Sequence, residues 1–418
     1  MHSNKAAQAT NLFLRSVTLF SKFALIFFLA IFLEPNELGI YGLLTVSITY
    51  AIYFVGFDFY TYSTRELLGA PDKQWAKLLR DQAIYFLIAY TLVLPALSLV
   101  FFFGWLPWKF AIYFFALLVA EHLGAELNRV LVAMSEPLQA SIVLFFRSGF
   151  WALLLTPLLW VAPSLRNLET ILLAWLLSAV FAVFLGLLRL SKLERACLKE
   201  PVDWRWLHQG MKVALPLLLG TIALRGIFTF DRYWMEHITS LDILGAYTLF
   251  VGVASAIITF LDAGIFVFLY PEMISAFRQG ESTRFKASFR RLALQTIIVT
   301  LALTLMASIA LPVLLGVFDK RFYLEHLPMF YWILLAIVLY ALGMIPHYGL
   351  YATGNDRGII GSHLLGLAVF MFTAWGLSTV SFTLAVPQAL CLAFAVILAL
   401  KTVYLSSIKK RLLYKTAI

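Results

Sequence analysis

Seven basic residues stand inside otherwise apolar stretches of the chain: Arg15, Lys22, Arg129, Arg147, Arg225, Arg232 and Lys401. A charge at the centre of a hydrocarbon layer costs about 2.5–3.5 kcal/mol on insertion scales, so each must meet water, a counter-charge or an anion. Asn11, Arg15, Thr18 and Lys22 are spaced 4, 3, 4 and share one helix face. Thr221, Arg225, Thr229 and Arg232, spaced 4, 4, 3, form a second stripe. Two such stripes facing each other make a site for an anion, and the expected anion-binding set is Arg15, Lys22, Arg147, Arg225 and Arg232. Simpler roles stand beside that one. Arg15 is near an end of its stretch and can snorkel to lipid phosphates. Lys22 lies roughly 16 Å deep at 1.5 Å per residue, where snorkelling is hard, and Arg225 is similarly deep. Arg147 can pair with a carboxylate of the preceding stretch. Asp231 and Arg232 can pair with each other or meet water, and Lys401 is close enough to an end to snorkel.

The acidic groups point to different chemistry. Glu121, His122, Glu126 and Arg129 share one stretch, with His122 and Glu126 at i,i+4 and Glu126 and Arg129 at i,i+3. This face is either a polar seam that pairs with itself or a proton or cation relay, since buried Glu and His titrate within reach of neutral pH. Asp58 and Asp262 sit at matched depths and complete the ion-coupling set Asp58, Glu121, His122, Glu126 and Asp262. They could equally cap helix ends or pair with a neighbouring Arg. His347 follows Pro346 and reads as a kink residue. The two cysteines, Cys197 and Cys391, have no metal-ligand spacing, and neither a metal nor a bound cofactor is expected.

Elements able to hold these groups follow from composition. Of 418 residues 62% are apolar and 13% charged, with a mean hydropathy of +0.89, against about 45–50% and about 25% in soluble domains. A soluble enzyme, a disordered chain and a disulfide scaffold are excluded. Scanning for runs of about 20 apolar residues gives twelve spans: Asn11–Leu33, Leu38–Tyr60, Gln82–Phe103, Lys109–Met134, Leu138–Val161, Thr170–Leu190, Val213–Met235, Ile243–Tyr270, Leu292–Phe318, Met329–Thr353, Ile359–Thr379 and Ala385–Leu405. Of the 32 Lys and Arg, 21 fall on one side, among them Lys5, Arg80, Arg189, Arg195, Arg291, Lys409, Lys410, Arg411 and Lys415. Four (Lys109, Arg166, Lys320, Arg321) fall on the other. The positive-inside bias puts both termini in the cytoplasm, with Trp105, Trp108, Trp160 and Tyr323 as outer anchors. The net charge of +10 is thereby a topological signal, and no nucleic-acid partner is expected. The outer loops are too short for a glycan polymerase or ligase site, and no G-x-x-x-x-G-K motif is present.

The halves echo each other. Leu38-Gly39-Ile40-Tyr41 opens the second span and Leu244-Gly245-Ala246-Tyr247 the eighth, 206 positions on; the same offset takes Glu66 to Glu272. A duplicated six-span unit enters the membrane twice in the same sense and sets a cleft between two lobes. The expected organisation is an N-terminal lobe over 1–190, a cytoplasmic linker over 191–212, a C-terminal lobe over 213–405 and a basic tail over 406–418. The linker's Trp204, Trp206, Leu207 and Met211 suggest an interfacial amphipathic segment. Prolines within spans (Pro95, Pro157, Pro216, Pro312, Pro346, Pro387) can kink their helices.

Twelve spans in two halves, a basic first span, E-L-G-I-Y-G-L (Glu37–Leu43), G-F-D-F-Y-T-Y-S-T-R-E-L (Gly56–Leu67) and F-D-R-Y (Phe230–Tyr233) followed by L-G-A-Y carry a resemblance. The chain resembles the Wzx-type polysaccharide repeat-unit flippases of the multidrug/oligosaccharidyl-lipid/polysaccharide exporter superfamily. The resemblance implies an all-α, MATE-like membrane fold in the bacterial inner membrane. It also implies transport, not catalysis: an oligosaccharide repeat unit on undecaprenyl pyrophosphate is moved to the periplasmic leaflet by alternating access, for O-antigen, capsule or exopolysaccharide. Membrane lipids, a polysaccharide polymerase and a chain-length regulator are the implied partners. The driving force would be an ion gradient (proton or sodium), the membrane potential, or removal of product. Tyr53, Tyr60 and Tyr247 could stack on sugars. A multidrug or cation antiporter of the same superfamily, and a membrane-embedded glycan polymerase or ligase, are the alternatives.

Overall fold

The structure, a computed structural model, describes residues 2–194 and 196–415. Arg195, counted above on the inner side, lies outside the described residues, as do the side chains of Lys5, Lys409, Lys410, Arg411 and Lys415. Among the described residues all regular structure is helical. Lipid offers the backbone no hydrogen bonds, so a spanning segment must satisfy its own. Twelve helices are long and apolar enough to do so: Phe13–Phe32, Pro35–Gly56, Lys73–Phe102, Trp108–Ala133, Pro137–Val161, Leu168–Leu190, Trp204–Ile238, Leu241–Arg278, Ser282–Val317, Leu327–Ala352, Asp356–Leu377 and Ala385–Ser407. The protein is a multi-pass membrane protein. Three spans are much longer than expected, at 35 residues for Trp204–Ile238, 38 for Leu241–Arg278 and 36 for Ser282–Val317. At 1.5 Å per residue each reaches over 50 Å, against a hydrocarbon core of about 30 Å. Hydropathy registers only the apolar part of such a helix.

The duplication is visible in burial. From the first span to the sixth, the buried share runs 33, 56, 17, 50, 39 and 44%; from the seventh to the twelfth it runs 39, 44, 11, 50, 39 and 44%. The third and ninth spans are the least buried in their halves, and the fourth and tenth are half buried. Equivalent helices therefore hold equivalent positions in the packing.

The L-G-x-Y echo has a physical cause. A Cβ built on Gly39 would lie 2.3 Å from the carbonyl oxygen of Leu241, and one built on Gly245 would lie 2.0 Å from that of Pro35. Leu241 is Pro35 shifted by 206 positions, and Gly245 is Gly39 shifted by the same amount. The two helix starts thus cross backbone to backbone, each glycine seated on the other's first turn, as a two-fold relation demands.

The chain divides into two compact units, Met1–Leu33 with Leu43–Leu218, and Glu34–Gly42 with Leu219–Ile418. Both boundaries differ from the lobes expected at 190 and 213. The glycine contact draws Glu34–Gly42 into the second unit. The expected linker packs into the first: Trp206 and Leu207 are buried with Phe59, Tyr62 and Phe86. Arg80 donates to the carbonyls of Leu198 (2.6 Å) and Glu200 (2.7 Å), while Asp81 accepts from the Asp203 amide at 3.0 Å. Residues 204–212 are accordingly the opening turns of the seventh-span helix and not a separate interfacial segment. In the first unit the fourth span packs on the sixth and the first on the fifth; in the second unit the tenth and eleventh both pack on the twelfth. Trp105, Trp108 and Trp160 are more than half exposed, as interface anchors are, but Tyr323 is 1% exposed and belongs to the interior.

Candidate functional site

The polar stripe of the first span faces the fifth. Arg15 Nε donates to Ser141 Oγ at 3.0 Å, and Ser141 also bonds Asn11. A Cβ on Gly149 would come within 3.0 Å of Thr18 Cα, so glycine lets the fifth span close against the stripe. At that level the fifth span carries a π-turn, Phe146–Phe150, which holds Arg147. Such one-turn bulges recur at functional sites because they re-aim side chains. Arg147 Nε lies 3.4 Å from Glu121 Oε2, the fourth-span carboxylate expected as its partner. Its stem runs over Gly124, where a Cβ would stand 2.8 Å from Arg147 Cδ. The other Glu121 oxygen accepts from Trp175 Nε1 at 2.8 Å. Lys22 is exposed near the middle of Phe13–Phe32 and interacts electrostatically with Arg147 and Glu121. Two bases therefore share one carboxylate at mid-span. The local charge is positive, in a place where bare positive charge is costly.

The remaining coupling candidates of this unit gather where the second span ends. Phe57 and Asp58 both have positive φ, 48° and 52°, which breaks the helix after Gly56. Such backbone costs about 1–3 kcal/mol per residue and persists where packing enforces it. Here Phe59 is fully buried and Asp58 is 3% exposed. Glu126, 7% exposed, accepts from Gln82 Nε2 at 2.9 Å and pairs with Arg129, whose guanidinium lies 3.7 Å above the Tyr60 ring. Asp58 interacts electrostatically with both Glu126 and Tyr60. His122 is fully buried. Its Nδ1 shares a 2.7 Å hydrogen bond with the Tyr90 hydroxyl, and its Nε2 sits 2.9 Å from where a Gly56 side chain would begin. The i,i+4 pairing of His122 with Glu126 is thus replaced by two separate partners from the third span. Arg129 covers one face of the Tyr60 ring.

In the second unit Arg225 is exposed, with Asp262 and His363 as electrostatic neighbours. Asp262 is also exposed and opens a second π-turn, Asp262–Phe266, in the eighth span. Asp58 and Asp262 thus both mark backbone breaks in equivalent spans. Arg232 takes the ion-pair role offered for it beside anion binding, while two expectations, Tyr247 as a sugar-stacking ring and Lys401 as a snorkelling residue, are corrected. Arg232 is bound to Asp231, at 2.7 Å between NH1 and Oδ2, and Asp231 is fully buried, so the charge of Arg232 is neutralised within its own helix. Tyr247 is fully buried and donates to Asp231 Oδ2 at 2.7 Å, which removes it as a sugar-stacking ring. Lys401 does not snorkel; it is 1% exposed. Both cysteines are free thiols.

Solved structures share this architecture. An inward-facing multidrug resistance transporter of the MATE family, MOP superfamily, superposes with a TM-score of 0.74 at 13% identity, over 95% of this chain and 99% of its own. The fold is that of a MATE-type transporter. An outward-facing transporter of the same family matches at 0.60 and 14% identity, over 97% and 96%. A MOP superfamily transporter from Pyrococcus furiosus, described as having a binding pocket of reverse polarity that suggests a different function, matches at 0.57 and 14% identity, over 97% and 95%. No family model and no curated protein matches the chain.

On this MATE-type fold, sequence reasoning found the charged residues and missed the neutral ones that position them. Gln82, Tyr90, Ser141 and Trp175 each bond a singled-out group. The one local signal for such a role is Gly124, three residues after Glu121, which makes room for Arg147. Within the first unit Lys22, Arg147 and Glu121 form one group and Asp58, His122 and Glu126 another; within the second unit Arg225 lies near Asp262.

Proposed function

We propose that this chain is a transporter that moves an anionic, lipid-linked oligosaccharide, carried on undecaprenyl pyrophosphate, from the cytoplasmic to the periplasmic leaflet of the bacterial inner membrane. The observation that carries the reading is the charge balance at mid-span in the first unit: Lys22 and Arg147 against Glu121 alone. Among the described residues Lys22 has no ion pair of its own. A pyrophosphate would neutralise the excess charge that the fold leaves there. Arg15, about two turns nearer the inner side on the proposed topology, and Arg225 in the second unit are further phosphate ligands in this reading. Alternating access is the proposed cycle, both termini are cytoplasmic, and Asp58, His122, Glu126 and Asp262 are the groups proposed to couple it to an ion gradient. A polymerase and a chain-length regulator would receive the product.

Charge reversal at Lys22 tests this. Lys22→Glu should insert normally, fail to deliver lipid-linked repeat units to the outer leaflet, and be rescued by Lys22→Arg. Normal delivery by a stably inserted Lys22→Glu protein overturns the reading. A second reading, export of a cationic compound, is favoured by the exposed carboxylate of Asp262 and by the multidrug transporters among the structural neighbours. Mass spectrometry of lipid co-isolated with the protein separates the two. A polyprenyl-pyrophosphate glycan supports the flippase, and efflux of cationic drugs that is lost in Asp262→Asn supports the exporter.

A further inference from the structure

The second unit brings three nitrogen bases together, two of them buried and the third, His347, half-buried. Lys401, on the twelfth span, is 1% exposed and ranks among the largest fully buried side chains; His363, on the eleventh, is 5% exposed. His347, on the tenth, stacks on His363 with ring centroids 6.1 Å apart and planes 12° from parallel. Lys401 interacts electrostatically with both rings. The His363 Nδ1 faces the Gly220 carbonyl at 3.2 Å. A carbonyl only accepts, so Nδ1 carries the hydrogen and Nε2 carries a lone pair in the neutral ring. That Nε2, and Nδ1 of His347, are buried without a hydrogen-bond partner. Among the described residues Lys401 has neither an ion pair nor a hydrogen bond. The groups facing the cluster from its neighbours are Arg225 on the seventh span, which acts on His363, and Tyr348 beside His347. The carboxylate in this neighbourhood, Asp262, acts on Arg225 and Tyr348.

We propose that Lys401, His347 and His363 form a proton-binding site inside the second unit, which takes up one proton and releases it within the physiological range of pH. Three clustered bases with no acid of their own, two of them buried and the third, His347, half-buried with its Nδ1 shielded, cannot hold two protons, because like charges would then lie side by side away from water. Nor is a permanent charge favoured, because an uncompensated buried ammonium is costly. One proton, carried on Lys401 Nζ or on an imidazole nitrogen, takes the cluster from neutral to singly positive. The site needs no metal and no added reactant. It is separate from the carboxylate groups assigned above to coupling, and it stands whatever molecule the protein transports.

Proton counting decides it. Full-length protein in lipid nanodiscs is titrated between about pH 5 and pH 9, beside the Lys401→Met/His347→Gln/His363→Gln variant. The wild type should release one proton more than the variant. A difference of zero means that Lys401 stays charged and both histidines stay neutral, and overturns the proposal. A difference of two means two ordinary histidines, and also overturns it. If the triple variant does not fold, Lys401→Arg replaces it. A guanidinium stays charged throughout this range, so the wild type should again release one proton more. No difference from Lys401→Arg overturns the site.

Discussion

The crossing of the two helix starts at Gly39 and Gly245 can be tested quantitatively. Alanine at 39 would place Cβ 2.3 Å from the Leu241 oxygen, and alanine at 245 would place it 2.0 Å from the Pro35 oxygen; real Cβ atoms essentially never come inside 3.0 Å. The helices must therefore separate by about 0.7 Å at the first site and about 1.0 Å at the second. Both obstacles are backbone atoms, which cannot rotate away as a side chain can. Overpacking of this kind costs about 1–3 kcal/mol, and the better helix propensity of alanine returns up to about 1 kcal/mol. A net loss of about 1–2 kcal/mol for Gly39→Ala is expected, with a larger loss for Gly245→Ala. One separation relieves both contacts, so the double variant should lose less than the two singles together. Equilibrium unfolding in mixed micelles with SDS, followed by tryptophan fluorescence, reads these differences. Gly316→Ala, where a Cβ meets nothing within 4 Å, is the control and should be neutral or stabilising. If Gly245→Ala is as stable as the wild type, the helix starts do not cross as described and the physical account of the repeated glycine is wrong.

Three other outcomes are expected. Asp231→Asn should destabilise by about 3–5 kcal/mol in the same unfolding assay, because it leaves the Arg232 guanidinium buried without its counter-charge; Tyr247→Phe, which removes one bond to that carboxylate, should cost about 1.5–3 kcal/mol. Glu121→Gln should cost about 3 kcal/mol, since it removes the one carboxylate between Arg147 and Lys22, and addition of pyrophosphate should stabilise this variant more than the wild type. Glu136, in the turn between the fourth and fifth spans, accepts hydrogen bonds from Arg189 that hold its carboxyl below the usual range. Its stabilising effect is complete above the ordinary glutamate value near 4.3 and is lost as pH falls through the lowered folded value. Glu136→Gln should then flatten the acid limb of a stability profile taken from about pH 7 to about pH 3, and an unchanged limb would refute the pairing.

Much of this protein was legible without coordinates. The number and order of the spans follow from hydropathy alone, because a run of apolar residues must cross the lipid and must do so as a helix. The repeat was legible too, since Gly39 and Gly245 are kept by a contact each makes with the other's equivalent segment. The charged residues that call for an explanation were found by type and depth. Partners were offered for Arg147 and Arg232 beside anion binding, and sequence did not choose between the roles: Arg147 shares one carboxylate with a second base while Arg232 is matched by its own neighbour. Lys401 lies near a helix end, where snorkelling is the natural expectation, but the tenth and eleventh spans cover it. Depth along a helix is a one-dimensional quantity that sequence carries. Which charge is neutralised, which ring is covered and which base is left over depend on the helices that pack against it, and only the tertiary structure decides that.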